Sequence, residues 1–203
     1  MTARTKNMMM MALIVAPFAL TFAFVHLFVD LDKLDRVNKG SLIIPHVAIE
    51  SLQPTNSNGD AVTADSLAGK WTLLYIAAGE CDTACKNGLY YLIQQLRLGL
   101  GSDAPRVRRV IAHSAPPQPS LRDFLDNQVA GMIEISVDAE ALRSNLGAAF
   151  PESTNPENHI YLMAPDGQIF MWYPSHEDME QVLLEADKLL YDLKRTLKGS
   201  LIG

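Results

Sequence analysis

Two cysteines stand four positions apart in the stretch GECDTACKNGLYYL, residues 79–92, and they are the only cysteines in the chain. At that spacing Cys81 and Cys85 suit three kinds of chemistry: a structural disulfide, dithiol–disulfide exchange, or two soft thiolates on one metal ion. On a regular helix, residues i and i+4 hold their Cβ atoms about 5–6 Å apart. A disulfide needs about 3.5–4.5 Å, so the helix start must adjust to close one, whereas a shared metal needs no direct bond. At a helix N-terminus the unpaired N–H groups and the dipole favour a thiolate at Cys81, while Cys85 continues an apolar stripe and is expected to be less exposed. That asymmetry suits an accessible attacking sulfur and a sheltered partner. A bridge across so short a loop contributes less through chain entropy, which argues against a staple.

The elements around the pair read as an alternation of strands and helices. WTLLYIAA (71–78) is a nearly continuous apolar run of strand length, suited to the centre of a sheet. After it, Cys85, Leu89, Leu92, Ile93, Leu96 and Leu100 recur at spacings of three and four and share one helix face. Upstream, HVAIESL (46–52) and the Asn58-Gly59 turn predict a small N-terminal hairpin. VRRVIA (107–112) and MIEISV (132–137) read as strands; Ser120 is a candidate cap for LRDFLDNQ, and Gly147 ends the helix DAEALRSNLG. IYLMAPDGQIFMWY (160–173) predicts a hairpin about Pro165-Asp166-Gly167. Ser175 is placed to cap a last helix whose stripe runs from Met179 to Leu193. This order implies an α/β sheet covered on both faces, with reactive loops at the C-terminal ends of parallel strands. Cys81 and Cys85 lie in such a loop.

Residues 8–29 are 22 positions without a formal charge, about 33 Å of helix, or roughly one hydrocarbon core. Arg4 and Lys6 precede the run, and Asp30 and Asp32 follow it. The positive-inside bias leaves residues 1–7 in the cytoplasm, makes 8–29 a retained anchor and exports the remainder through a linker at 30–45. A cleaved signal peptide would have a shorter apolar region and a small-residue cleavage site. The exported domain is residues 46–203. All 23 acidic residues and 15 of the 17 basic ones lie beyond position 29, so the exported part has no electrostatic footprint for nucleic acid. The short basic cluster PRVRRV reads as a solvated strand edge. In an oxidising compartment an isolated cysteine pair persists as a disulfide.

LAGKWTLLYIAAGECDTACKNGLYYL, the apolar segment before it and NHIYLMAPDGQIF after it resemble the Sco/SenC group of thioredoxin-like proteins, and among them the small Sco-like membrane proteins associated with bacterial cytochrome c oxidase. The resemblance implies a thioredoxin-like domain on one transmembrane helix in the bacterial inner membrane, with the domain in the periplasm. It implies copper, as Cu(I), on Cys81, Cys85 and His159, or a role in keeping copper-site thiols reduced. It also implies a partner in the copper-centre subunit of cytochrome c oxidase or another assembly factor. Asp82 stands where that group carries proline. Two thiolates favour Cu(I), and an imidazole completes a low-coordinate site. His113, at the end of strand 107–112, is a backup ligand; His26, His46 and His176 read as interface, strand-start and first-turn residues. Of the nine methionines, Met8 to Met11 read as anchor residues and Met132, Met163, Met171 and Met179 as core residues. Two other readings stay open: a thiol–disulfide oxidoreductase without copper, in which Cys81 and Cys85 are the catalytic pair, and a non-enzymatic assembly scaffold that tolerates loss of both cysteines.

Overall fold

The computed structural model describes residues 3–28, 37–147, 150 and 155–200; within the first helix it describes the side chains of residues 8–24. The chain forms two compact units, Met1–Val37 and Asn38–Gly203. In the first unit, helix α1 spans Ala3–Phe28 with Pro17 inside it. Among the described residues no helix is long and apolar enough to cross a membrane. The expected anchor reaches residue 29, outside the described residues, as does most of the first half of the expected linker.

The second unit is built on one six-stranded sheet of order β1-β6-β5-β2-β3-β4. Its strands are β1 (Ser41–Ala48), β2 (Trp71–Ala77), β3 (Val107–His113), β4 (Ile133–Ser136), β5 (His159–Met163) and β6 (Gln168–Pro174). β2, β3 and β4 run parallel; β5 is antiparallel to β2 and to β6, and β1 is antiparallel to β6. β2 holds the centre because Thr72 to Ala77 are all buried, as a strand covered on both faces requires.

Strand alternation sorts the core into two layers. On one face Leu73, Tyr75 and Ala77 pack with Cys81, Cys85, Ile160 and Tyr173. Over them lies a helical run made of α2 (Thr83–Asn87), a wider-wound segment Gly88–Gln95 and α3 (Leu96–Gly99). The same face is covered by α4 (Pro119–Gln128) through Leu121 and Leu125, and by α6 (Met179–Gly199) through Leu189, Leu193 and Leu197. On the other face Leu74, Ile76 and Tyr161 pack beneath Ile49, Leu52, Phe150 and α5 (Ala139–Asn145), which contributes Leu142. Helices on both faces and the 159–174 hairpin match the sequence pattern.

The N-terminal hairpin is corrected. β1 pairs with β6, matching Ser41 to Trp172 and Val47 to Ile169, so it starts inside the stretch read as linker. Ile49–Leu52 then coil into a 3-10 turn, with the Ile49 N–H donating to the Gly167 carbonyl. This carries the chain off the sheet before Asn58-Gly59. That turn exists, with Gly59 at φ +87, but it closes a loop held by a single bridge, Thr55 to Ala61. Two caps shift as well. α6 is capped by Asp178, which accepts from the Gln181 N–H. α4 begins at Pro119 after Gln118, because proline at the first helical position needs no donor partner.

Candidate redox site

β2 delivers the chain to the cysteines through a braced loop. The Ser114 N–H donates to the Ala77 carbonyl and the Gln118 N–H to the Gly79 carbonyl, at 3.0 and 2.9 Å. Gly79 sits at φ +94, where a Cβ would lie 3.0 Å from the Pro116 carbonyl oxygen. Glycine is therefore required both by the backbone conformation and by the neighbouring loop. Gln118 Nε2 also donates to Glu80 Oε1 at 2.9 Å, and Ser114 Oγ donates to Glu157. The loops after β2 and β3 and the segment before β5 thus meet at one end of the sheet.

Cys81 and Cys85 are joined as a disulfide, with Cα atoms 5.1 Å apart. The bridge forms without bending a helix because Cys81 lies outside α2. Asp82 is the cap, and its carboxylate accepts from the Cys85 N–H at 2.8 Å. Cys81 is 7% exposed and Cys85 fully buried. Cys81 keeps what little exposed area the pair has, while Cys85 is enclosed by the core.

Tyr75 lies on the same face of β2. Burial raises its phenol well above the ordinary range, and the Asp82 carboxylate adds to that while the Ser175 hydroxyl opposes it. The ring and hydroxyl press against Gly88, where a Cβ would stand 2.5 Å from Ser175 Oγ and 3.1 Å from Tyr75 Cε2. The segment after β6 is therefore packed directly against the helix that carries Cys85. Asn87 Nδ2 fastens it further by donating to the His176 and Glu177 carbonyls.

The three residues expected to converge do not meet. His159 opens β5 opposite Ile76, a residue of the other core layer. Its ring stacks on Phe150 at 5.8 Å and against Trp172 at 5.0 Å, while the next residue, Ile160, packs in the layer of the disulfide. The imidazole thus lies across the sheet from both sulfurs. Burial lowers its pKa to about 4; the Asn158 backbone hydrogen bond opposes this and His176 adds to it. His113 is engaged by a carboxylate. It is 6% exposed, and its Nε2 meets Glu134 Oε2 at 3.2 Å while Arg122 holds the same carboxylate at 2.7 Å. Burial lowers the His113 pKa against the opposing pull of Glu134. Among the described residues no three His, Cys, Asp or Glu side chains are grouped to hold a metal ion.

Asp82, Gly79 and Asn158 are the functional neighbours that the spacing of the cysteines did not single out. Asn158 adopts φ +60, donates its N–H to the Ile76 carbonyl at 2.6 Å and accepts from the Ala78 N–H at 3.3 Å, tying the start of β5 to the cysteine loop. An aspartate just before an apolar helical stripe was the available signal for Asp82.

Residues 71–200 match the family model described as "Transmembrane-like, thioredoxin-like, C-terminal domain". No curated protein sequence matches the chain. Sco proteins are among its structural neighbours. BsSco, a member of the Sco family of cytochrome c oxidase assembly proteins in which a disulfide switch was identified, is 18% identical, with 81% of this chain and 99% of that one covered at a TM-score of 0.52. Arabidopsis thaliana ScoI with copper bound is 17% identical, with 79% and 99% covered at 0.51. Yeast Sco1 with copper bound is 14% identical, with 82% and 97% covered at 0.51. At these identities the likeness concerns the fold, a thioredoxin-like mixed α/β sheet.

Proposed function

The chain belongs to the transmembrane-like, thioredoxin-like C-terminal domain family, and on that premise we propose that it is a Sco-like dithiol–disulfide factor serving cytochrome c oxidase assembly. The observation that carries this reading is the Cys81–Cys85 disulfide at the C-terminal end of β2, where Cys81 keeps 7% exposure and Cys85 none. In the reduced protein the Cys81 thiolate attacks a disulfide of the partner. The partner's S–S bond breaks, its leaving sulfur takes up a proton, and a mixed disulfide forms. Cys85, as thiolate, then attacks the Cys81 sulfur, releases the second partner thiol and closes the Cys81–Cys85 bond. Two electrons pass to the partner, and an external dithiol re-opens the pair. The partner is the oxidase copper-centre subunit or another assembly factor whose paired cysteines must be thiols before metal loading. The fold shared with BsSco supports this choice. The uncharged run 8–29 and the flanking charges support an inner-membrane anchor with the tail 1–7 in the cytoplasm and the domain 46–203 in the periplasm.

Cu(I) capture by the reduced pair is the second reading. Two soft thiolates suit Cu(I), and the Arabidopsis and yeast Sco structures hold copper. The observed place of His159 does not complete such a site, so copper would rest on the two cysteines. The test is to reduce the full chain anaerobically, measure electron transfer to a disulfide-bonded peptide, and titrate Cu(I) in parallel. Exchange that needs both cysteines, with no Cu(I) affinity beyond that of the Cys81→Ser/Cys85→Ser variant, confines the protein to thiol chemistry. Cysteine-dependent Cu(I) binding unchanged by His159→Ala places copper on the thiolates alone. Absence of both activities leaves the scaffold role.

A further inference from the structure

At the opposite end of β2 and β3 from the disulfide, Lys70, Arg97, Arg108 and Arg109 line one cleft of about 280 Å³. The six residue steps along β2 put this cleft roughly 20 Å from the cysteine loop. No aspartate or glutamate is among the residues lining it. Among the described residues, no ion pair involves any of the four cations.

The strand edge explains how consecutive arginines reach one cleft. β4 begins its pairing with β3 at Ile133 opposite Val110, so residues 107–109 are paired to β2 on one side and have no β4 partner on the other. Neighbouring strand residues point to opposite faces, and Arg108 and Arg109 therefore pass on either side of this edge. Each is held by neutral acceptors. Arg108 Nη2 donates to the Ala68 carbonyl at 3.0 Å. Arg109 donates to Gln94 Oε1 and to the Ala130 and Gly131 carbonyls, the last two at 3.2 and 3.4 Å. These bonds fix the guanidinium groups without neutralising them. Burial lowers the Arg109 pKa, and the nearby Arg97 cation adds to that.

A charged unpaired edge deters strand pairing, and charge of either sign would serve. It does not account for four like charges around one concavity in a chain of net charge −6. Guanidinium forks pair two donors with two oxygens of a phosphate, and a multiply charged oxyanion would relieve the mutual repulsion. We propose that this cleft binds a phosphate group, carried either by a soluble phosphorylated ligand or by an anionic lipid headgroup. The inference is independent of the cysteine chemistry.

The test uses the full chain in zwitterionic detergent micelles at low salt. One arm titrates pyrophosphate by calorimetry; the other dopes the micelles with phosphatidylglycerol and follows arginine side-chain resonances by NMR. The expected result is saturable binding in at least one arm, weakened about tenfold by Arg97→Gln and by raising salt past about 0.3 M. Among the described residues the Arg97 side chain makes no hydrogen bond or ion pair, so this variant is expected to keep its fold, as thermal unfolding would verify. Arg109→Lys keeps the charge but loses the fork, and is expected to weaken binding severalfold. Saturation by pyrophosphate alone identifies a soluble ligand, and saturation by phosphatidylglycerol alone a headgroup. No saturation in either arm, or binding unaltered by both Arg97→Gln and Lys70→Gln, would overturn the proposal.

Discussion

Both faces of the central sheet are packed with apolar side chains; the first carries the Cys81–Cys85 pair and the second carries His159. On the first face the Cys81–Cys85 bridge joins the loop that leaves β2 to the first turn of α2, with Cys81 7% exposed and Cys85 fully buried. On the second, His159 is the first residue of a paired strand and its ring packs against Phe150 and Trp172, which also meet each other at 4.5 Å. A loop residue adjusts its position with few contacts to break, whereas moving the imidazole to the sulfurs means dismantling an aromatic stack and the pairing of His159 with Ile76. Side chains alternate along a strand, so a single-residue register slip in β5 would bring the imidazole to the disulfide face. The alternation, not the separation in sequence, keeps the three apart.

The largest effect is expected at the far edge of the disulfide face. Buried Asp192 accepts from the Tyr173 hydroxyl at 2.9 Å and from the Lys39 and Gly40 N–H groups at 2.8 and 2.7 Å. Asp192→Ala strands three donors, two of them buried, and urea unfolding should register a loss of about 4 kcal/mol. Tyr173→Phe leaves the two N–H bonds in place and should cost less than half of that.

Burial lowers the pKa of a histidine on each face, His113 on the first and His159 on the second, and the larger response to acid is expected from His159. The His159 pKa is about 4 in the folded protein, below its ordinary 6.5, so the unfolded chain takes up the proton first. Its contribution is complete above pH 6.5, declines as pH falls toward 4 and changes no further below that. The decline amounts to at most about 3 kcal/mol. Stability measured across this window should flatten in His159→Phe, which keeps a ring in the stack. An unchanged slope in that variant would break the comparison.

Opening the disulfide should be felt on the first face and milder. A bridge closing so short a loop is worth about 2 kcal/mol by loop entropy. The difference between oxidised and reduced thermal unfolding measures it, and Cys81→Ser/Cys85→Ser should match the reduced protein. Asp82→Ala removes the cap that meets the Cys85 N–H and should cost about 1 kcal/mol, with the disulfide intact.

Much of the first face was readable from residue types. An unbroken apolar run, a cysteine after it and a three-four stripe beyond it specify β2, the loop and the covering helix with local information alone. β1 was not readable in the same way, because its partner is β6, more than a hundred residues away, and Pro45 in the middle of SLIIPHVA conceals the strand. The face chosen by His159 was also hidden. β5 is apolar at every position from Ile160 to Met163, so a strand buried on both sides offers no polar alternation to mark which residues share a layer. The cysteine pair was evident from spacing; that Cys81 stands outside the helix rests on Asp82 acting as the cap, a residue type that the pattern before the stripe allows but does not require.

The measurement closest to the central claim is capture of the mixed disulfide with a disulfide-bonded peptide bearing the paired cysteines of an oxidase copper centre. Cys85→Ser, with Cys81 as its only thiol, should accumulate the adduct, and Cys81→Ser should form it far more slowly from the buried Cys85. Adduct accumulating on Cys81→Ser, or on neither variant, would contradict the account.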